Sequence, residues 1–271
     1  MVGSVKQSER SCAFKQVLGQ SSTAHPAKIV NAFNTWAFKR QQPSDLDQLT
    51  AVAAIASQRS RPLPFVLYWG KGPRDFVHEP ELHCLDFLAS MAQRVADVHA
   101  PGAHFELLQT DTHAELNGHT TRDIRAYFSD VTQAAVERGF TTRLLSDVMA
   151  KSGVPAGLPE AVMPSDDALR VLEACAEKWY RGEGQAADGA AAYFAMNMRE
   201  KRAVQDNYPE AIFITFNSSS LRILFPDGMP IFYMYSLRKG CAIKPWFVSE
   251  EANVQIRASG QMSVAPALAA G

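Results

Sequence analysis

The sequence predicts an α/β protein: a mixed Rossmann-like sheet flanked by helices, with a C-terminal β-hairpin. Two observations support this class. In the first half of the chain, short apolar runs alternate with longer segments whose apolar residues recur at helical spacing. Later the chain carries three apolar runs in quick succession, AIFITFN, LRILF and PIFYMYSL, with the turn sequence PDGMP between the last two.

The individual elements follow from periodicity and from the residues that bound each segment. Two apolar runs, PFVLYW and HFELLQTD, are predicted as buried strands because Gly and Pro residues adjoin them. Asp45 is expected to cap a helix, and Gly139 stands where a helix C-terminal cap belongs. The predicted helices cover 27–40, 46–57, 81–98, 121–138, 166–180 and 190–207.

The chain of 271 residues is long enough for one sizeable core. We expect a single α/β catalytic domain over 28–250, because no linker-like composition divides that stretch. The polar segment 1–27 is expected to be a flexible N-terminal arm, and the weakly patterned segment 251–271 a flexible tail.

Charge and cysteine content exclude several classes of protein. The net charge is −1, from 27 basic and 28 acidic residues, which argues against nucleic acid as the main partner. No apolar run is long enough for a membrane span, and the N-terminus lacks a signal-peptide core. The four cysteines are widely separated, without a CxxC pair, which fits a reducing cytoplasm better than a disulfide framework.

The loop WGKGPR follows the first predicted strand. In open α/β sheets, ligands bind beyond the carboxyl ends of the strands, where this loop is expected to lie. Its glycines let a ligand approach the backbone, and Lys71 and Arg74 add positive charge suited to a phosphate or carboxylate. The other reading is a solvated turn with two bases.

The segment DTHAEL follows the second predicted strand and carries Asp111, His113 and Glu115 in alternation. If the segment is extended, all three side chains face one side and can serve as acid, base and orienting group. With another histidine they can hold Fe(II), as in iron oxygenases. The third alternative is a hydrogen-bonded structural turn.

Two later segments supply further candidates for substrate binding. Asn217 and Ser218 follow a strand as polar ligands, and Arg222 is a candidate clamp for a carboxylate or phosphate. A hairpin loop whose side chains bond to the backbone is the alternative. Lys244, directly before Pro245-Trp246, is the remaining candidate.

The order of these features, over about 62–248, resembles the isocyanide (isonitrile) synthases of secondary metabolism, of the pyoverdine/paerucumarin-cluster type. The segments that carry the resemblance are PFVLYWGKGPR, EPELHCLDFLASMAQRV, HAPGAHFELLQTD, THAELNG, AAYFAMNMREKRAVQDNYP, AIFITFNSSSLRI and KPWFV. The family's basic loop reads differently from GKGPR. Its Ser-Asp-Gly is Thr110-Asp111-Thr112 here, and its Trp-His is Trp246-Phe247, which marks a divergent member.

The resemblance implies an enzyme that condenses an amino-acid α-amine with ribulose 5-phosphate to give an isonitrile or related product. It implies no metal or redox cofactor, and small-molecule substrates as the partners. An α-amine with a pKa of about 8 is only about a tenth neutral at neutral pH, so a base beside it accelerates condensation. The resemblance makes Asp111 or His113 that base.

The same resemblance assigns the binding residues. Lys71 and Arg74, with Lys244, would hold the sugar phosphate, and Arg222 would hold the amino-acid carboxylate. Two other functions stay open at this point: a non-heme iron-dependent amino-acid oxygenase, and a non-catalytic ligand-binding protein on the same fold.

Overall fold

A computed structural model describes residues 25–70, 72–153, 164–234, 236–238 and 241–243. The expected tail over 251–271 and nearly all of the expected arm over 1–27 lie outside the described residues. Lys71 and Lys244 also lie outside them. In the described part of the chain, no helix is long and apolar enough to cross a membrane.

The chain alternates between strands and helices. The helices are α1 Pro26–Phe33, α2 Leu46–Gln58, α3 Glu79–Ala96, α4 Asp111–Leu116, α5 Thr121–Val136, α6 Leu145–Ser152, α7 Asp166–Trp179 and α8 Ala186–Asn207. The strands are β1 Leu63–Trp69, β2 Ala103–Gln109, β3 Thr141–Leu144, β4 Ile212–Thr215, β5 Ile231–Tyr233, β6 Ser236–Arg238 and β7 Cys241–Ile243. A 3₁₀ helix covers Ser219–Leu224.

Five strands form one parallel sheet in the order β3-β2-β1-β4-β5. In the register of the central strand, Phe65 lies opposite Phe105 of β2 and Ile212 of β4. The chain builds outward from β1 to β3, then returns across β1 to add β4 and β5. The strand order therefore reverses between β1 and β4, which is where doubly wound sheets bind ligands.

Both faces of the sheet are buried, and the residues of β1 alternate between two cores. Phe65, Leu67 and Trp69 belong to the core that α1, α2, α3 and α5 cover. Val66 belongs to the second core, which α6, α7, α8 and the 3₁₀ helix cover, and Tyr68 packs against it. A parallel strand with two covered faces needs an uninterrupted apolar run, which explains PFVLYW.

Local signals set several helix ends. The Asp45 side chain accepts a hydrogen bond from the Gln48 amide at 2.8 Å, and Thr120 accepts one from Asp123 at 3.2 Å. Gly139, shortly after α5, has a φ of +76°, a conformation that favours glycine. These positions confirm the predicted start of α2 and the predicted turn after α5.

The α/β class, with a sheet flanked by helices, is confirmed, and the details near the end of the chain differ from the prediction. LRILF is part of the 3₁₀ helix, where Leu221 and Leu224 are buried one turn apart. PDGMP leads into β5, which runs parallel to β4, so no hairpin joins them. Parallel neighbours need a crossover between them, and the 3₁₀ helix lies in it. The antiparallel pair is instead formed by β6 and β7.

Two short elements carry too weak a pattern for prediction. β3 has only four residues, exposed or partly buried, and α6 follows it directly. The first helix ends at Phe33 rather than at residue 40, and Lys39, inside the predicted helix, instead pairs with Met234 in an isolated antiparallel bridge.

Candidate functional site

The carboxyl ends of the parallel strands gather the segments that the sequence singled out. The loop 70–74 follows β1, the segment 110–116 follows β2, and 216–218 follows β4. The loop after β1 also lies close to the residues that follow α4, since a Cβ atom placed on Gly72 would lie 3.2 Å from Nε2 of His119. The hydroxyl of Thr110 also donates to the Trp69 carbonyl at 3.1 Å.

The segment DTHAEL is the helix α4, and the prediction that it presents three side chains on one side is wrong. On a helix, positions two apart are rotated by about 200° from each other. Asp111 and His113 consequently point in different directions. Asp111 is buried, His113 is partly buried, and Glu115 is exposed.

Asp111 accepts hydrogen bonds from Ser146, which lies just after the end of the neighbouring strand β3. Its Oδ1 accepts from the Ser146 amide at 3.1 Å, and its Oδ2 accepts from the Ser146 hydroxyl. Asp111 is only 6% exposed, so these donors compensate for the burial of the carboxylate. The residue holds the start of α4 against the start of α6.

The imidazole of His113 pairs with the carboxylate of Glu200, which is distant in the sequence. Its Nε2 lies 2.9 Å from Oε2 of Glu200 in α8, and the other oxygen of Glu200 accepts from the Thr112 hydroxyl. Glu200 is 1% exposed, whereas the His113 side chain is 24% exposed. Glu200 therefore orients the imidazole through Nε2, and no described residue bonds to Nδ1.

The pKa of His113 is raised by this environment. Burial alone lowers it, but the charge of Glu200 and the hydrogen bond to Glu200 outweigh that effect. A histidine of raised pKa that is partly open to solvent is a suitable general base.

Two tyrosines flank the pair of His113 and Glu200. The ring of Tyr193 stacks on the imidazole with centroids 5.6 Å apart, and its hydroxyl donates to Asn117. The Tyr68 hydroxyl is buried and has no hydrogen-bond partner among the described residues. Burial, and then the charge of Glu200, raise the pKa of Tyr68 well above its ordinary value. Tyr68 therefore stays protonated and able to donate.

Arg74 contacts α3, which covers the side of the sheet opposite to α8. Its Nε is 3.8 Å from Oε1 of Glu81, which is fully buried in the first turn of α3. The Tyr127 hydroxyl lies 3.4 Å from the same oxygen, and Nε1 of Trp69 lies 3.3 Å from that hydroxyl. Burial, and then the charge of Glu81, raise the pKa of Tyr127. This chain of contacts anchors the loop after β1.

The candidates after β4 are partly engaged with other protein groups. Arg222 donates to the Phe225 carbonyl at 3.1 Å and lies 3.5 Å from Asp227. The partly buried Ser218 shares a hydrogen bond with Ser220, and the backbone amide of Asn217 donates to the Thr215 hydroxyl. Their proposed roles in substrate binding stay predictions, as do those of Lys71 and Lys244, which lie outside the described residues.

A cavity of about 360 Å³ opens beside the Glu200 pair. It is lined by Thr112, Ser146, Met149, Ala150, Gly153, Met196 and Arg199. Another cavity of about 360 Å³ lies at the opposite edge, where Arg61 pairs with Glu210. We assign the site to the carboxyl edge, since ligands of such sheets bind there.

The iron-oxygenase reading needs at least one further ligand beside Asp111 and His113. Across the described ranges, no three His, Cys, Asp or Glu side chains are grouped so as to hold a metal ion. Asp111 and His113 instead bond to Ser146 and Glu200, respectively.

Sequence reasoning missed Glu200 and Arg199, and it did not assign roles to Tyr68 and Tyr193. One signal was available for Glu200. It lies seven positions after Tyr193 and four before Val204, both buried, so it shares their helix face. A carboxylate on an apolar stripe is a candidate functional group, because charged residues are rarely fully buried.

No protein-family model matches the sequence, and no curated protein matches it. A comparison with solved structures gives matches. The PvcA protein from Pseudomonas aeruginosa has a TM-score of 0.57 and 15% sequence identity, over 81% of this chain and 98% of that chain. A tyrosyl-tRNA synthetase complexed with L-tyrosine from Archaeoglobus fulgidus has a TM-score of 0.45 and 11% identity, over 76% and 62%. The chain therefore has the fold of PvcA.

Proposed function

We propose that this chain is an isocyanide synthase-like enzyme, which condenses the α-amine of an amino acid with ribulose 5-phosphate. The resemblance of the sequence to the isocyanide synthases and the fold shared with PvcA point in the same direction. The observation that carries the proposal is the pair of His113 and Glu200 at the carboxyl edge of the sheet. It supplies the base that condensation of an ammonium group requires.

In this proposal His113 removes a proton from the substrate ammonium. The neutral amine then attacks the sugar ketone, a C–N bond forms, and the ketone oxygen leaves as water to give an imine. The two protons of that water come from the amine nitrogen, and the Tyr68 hydroxyl, which has no partner among the described residues, is the proposed hydrogen-bond donor to the departing oxygen. The imine then serves as the electron sink for carbon–carbon cleavage.

The binding roles remain proposals as well. Arg74 follows β1 at the switch point of the sheet, and Lys71 belongs to the same segment of the sequence. Both are proposed to hold the sugar phosphate, together with the glycine amides of that segment. Lys244 is a further proposed phosphate ligand. Asn217, Ser218 and Arg222 follow β4 on the other side of that switch point. In this proposal Asp111 positions Ser146, and the exposed Glu115 is not assigned a chemical step; the catalytic roles expected for both from the sequence stay predictions.

The test is incubation of the full chain with each proteinogenic amino acid and uniformly ¹³C-labelled ribulose 5-phosphate. We expect one amino acid to give a product, found by mass spectrometry, that contains one labelled carbon from the sugar. Absence of labelled product from every amino acid would contradict the proposed reaction. Binding without turnover would favour a ligand-binding protein on the same fold.

A matched pair of variants tests the base. His113→Ala should abolish formation of the labelled product. His83→Ala is the control, because His83 is also 24% exposed and also faces a glutamate through Nε2, at 3.6 Å from Glu79. It lies in α3 and should leave turnover unchanged. Equal turnover in both variants would exclude His113 as the base.

A further inference from the structure

The cavity beside Glu200 has walls of three chemical kinds. Its volume of about 360 Å³ falls within the range of small-molecule sites. Two hydroxyls, one guanidinium and two methionine side chains contribute to its lining. Each kind of wall restricts which part of a ligand can lie against it.

The two hydroxyls of the lining, from Thr112 and Ser146, can act toward a ligand only as hydrogen-bond acceptors. Thr112 donates its proton to Glu200, and Ser146 donates its proton to Asp111. Because each hydroxyl proton is committed to a carboxylate, the oxygen lone pairs are what these groups can offer to a ligand. The carboxylates behind them also make this wall electronegative. The wall therefore favours a hydrogen-bond donor with positive charge, such as an ammonium group.

The cation of the cavity is Arg199. Its Nε is buried and has no hydrogen-bond partner in the part of the chain that the structure describes. Arg199 also lines the cavity and has no ion pair within the described residues, so a carboxylate of a ligand there would pair with its guanidinium. Glu200, its neighbour in the chain, cannot do so readily, since both Glu200 oxygens are used by Thr112 and His113.

The remaining wall is apolar. Met149 is 8% exposed, and Met196 lies on the helix that carries Arg199. Methionine side chains adapt to apolar groups of different shape. No charged side chain other than Arg199 lines the cavity within the described residues.

We propose that this cavity binds an α-amino acid with an apolar side chain, as its zwitterion. Arg199 holds the carboxylate, the Thr112 and Ser146 oxygens accept from the ammonium group, and Met149 and Met196 contact the side chain. This assignment rests on the proposed function. It specifies the class of amino acid, and it places the amine beside Thr112, the residue before His113. It assigns the carboxylate of the amino acid to Arg199, whereas the sequence resemblance implied Arg222.

A sugar phosphate fits this cavity less well. A phosphate dianion would have one cation to pair with and would face the two carboxylates behind the hydroxyls. An amino-acid zwitterion matches both walls with one charge each. The phosphate therefore stays assigned to the loop after β1.

Calorimetric titration of the unaltered full chain tests the ligand class without turnover. The probes are L-leucine, L-methionine and L-phenylalanine, each with its methyl ester and its N-acetyl derivative, and L-aspartate. We expect at least one apolar amino acid to bind, and both of its derivatives to bind roughly ten- to a hundred-fold more weakly, because each loses one charged contact. L-aspartate should bind weakly or not at all. Equal binding of the free acid and its methyl ester would overturn the proposal.

Variants then locate the site. Arg199→Gln should weaken binding of the amino acid by a similar factor and leave binding of ribulose 5-phosphate unchanged. Arg202→Gln is the matched control, because Arg202 lies in the same helix, is 68% exposed and pairs with Asp206. Loss of ribulose 5-phosphate binding in Arg199→Gln, with amino-acid binding retained, would refute the assignment.

The failure of this assignment is distinguishable from failure of the proposed function. Amino-acid binding that depends on Arg199, without labelled product, would support the cavity and contradict the reaction. Labelled product with a KM for the amino acid that Arg199→Gln does not change would support the reaction and contradict the cavity.

Discussion

Nε2 of His113 lies 2.9 Å from Oε2 of Glu200, although the two residues are 87 positions apart in the chain. One belongs to the short helix after β2 and the other to the long helix before β4. Their contact joins the two halves of the sheet at its carboxyl edge.

Replacing Glu200 by Gln should reverse the shift in the pKa of His113. The charge and the hydrogen bond of Glu200 raise this pKa, whereas burial lowers it and remains in the variant. We expect His113 to titrate above about 6.5 in the unaltered chain and below it in the variant. NMR titration of the imidazole protons measures both values. Glu177→Gln, at an exposed position of α7, should leave the His113 titration unchanged.

The same pair should make stability depend on pH. The pKa of His113 is higher in the folded chain, so the folded state binds more protons between about pH 6.5 and that raised pKa. The contribution is complete below about pH 6.5 and is lost as the pH rises through the raised value. The free energy of unfolding from urea titrations should therefore differ most between the unaltered chain and Glu200→Gln at low pH. A difference that grows with rising pH would contradict the pairing.

Asp111→Asn should destabilise the chain and weaken binding of the amino acid, because Asp111 holds the Ser146 hydroxyl of the proposed cavity, but it should have no direct effect on the chemical step. The carboxylate accepts from both the amide and the hydroxyl of Ser146, and an asparagine presents a donor to one of them. We expect a loss of about 1–3 kcal/mol in the free energy of unfolding. Asp130→Asn, at an exposed position of α5, should cost far less. Unchanged stability together with lost turnover would instead make Asp111 the catalytic base.

Alkaline solution should unfold the chain through its buried tyrosines. Burial raises the pKa of Tyr68, Tyr127, Tyr208 and Tyr233, and that of Tyr193 to about 12. Because these folded-state values lie above the ordinary value of about 10, stability should fall as the pH rises past it. Ultraviolet absorbance of tyrosinate, followed with circular dichroism, measures this. Most tyrosinate should appear together with loss of structure; full ionisation of a folded chain would contradict the burial.

Two glycines with similar backbone angles should tolerate alanine differently. Gly118 has a φ of +77°, and an added Cβ would lie 2.8 Å from the Cβ of Arg181. Gly139 has a φ of +76°, and nothing lies within 4 Å of the added atom. Gly139→Ala should cost about 1–2 kcal/mol for the left-handed conformation alone, and Gly118→Ala should cost more. Thermal or urea unfolding of both variants gives the comparison, and equal costs would show that the Arg181 contact relaxes freely.

The sequence by itself determined the α/β class and most of the long elements. PFVLYW and the apolar stripe of α3 are local patterns, since a covered parallel strand and an amphipathic helix each mark themselves within a few residues. Asp45 and Gly139 likewise act through their own backbone neighbours. His113 was found as a candidate because it follows a strand.

Only the tertiary structure decided that His113 contacts Glu200 and that Arg199 lines a cavity. DTHAEL alternates like a strand but folds as α4, and the partners of Asp111 and Thr112, which are Ser146 and Glu200, come from distant segments. LRILF contains a strand-like run but lies in the crossover between two parallel strands. Helical periodicity places Glu200 on a buried helix face, but it does not show that its partner lies 87 residues away in the chain. The residues that line the cavity come from α4, α6 and α8, so only the packing of these three helices shows which side chains form its walls.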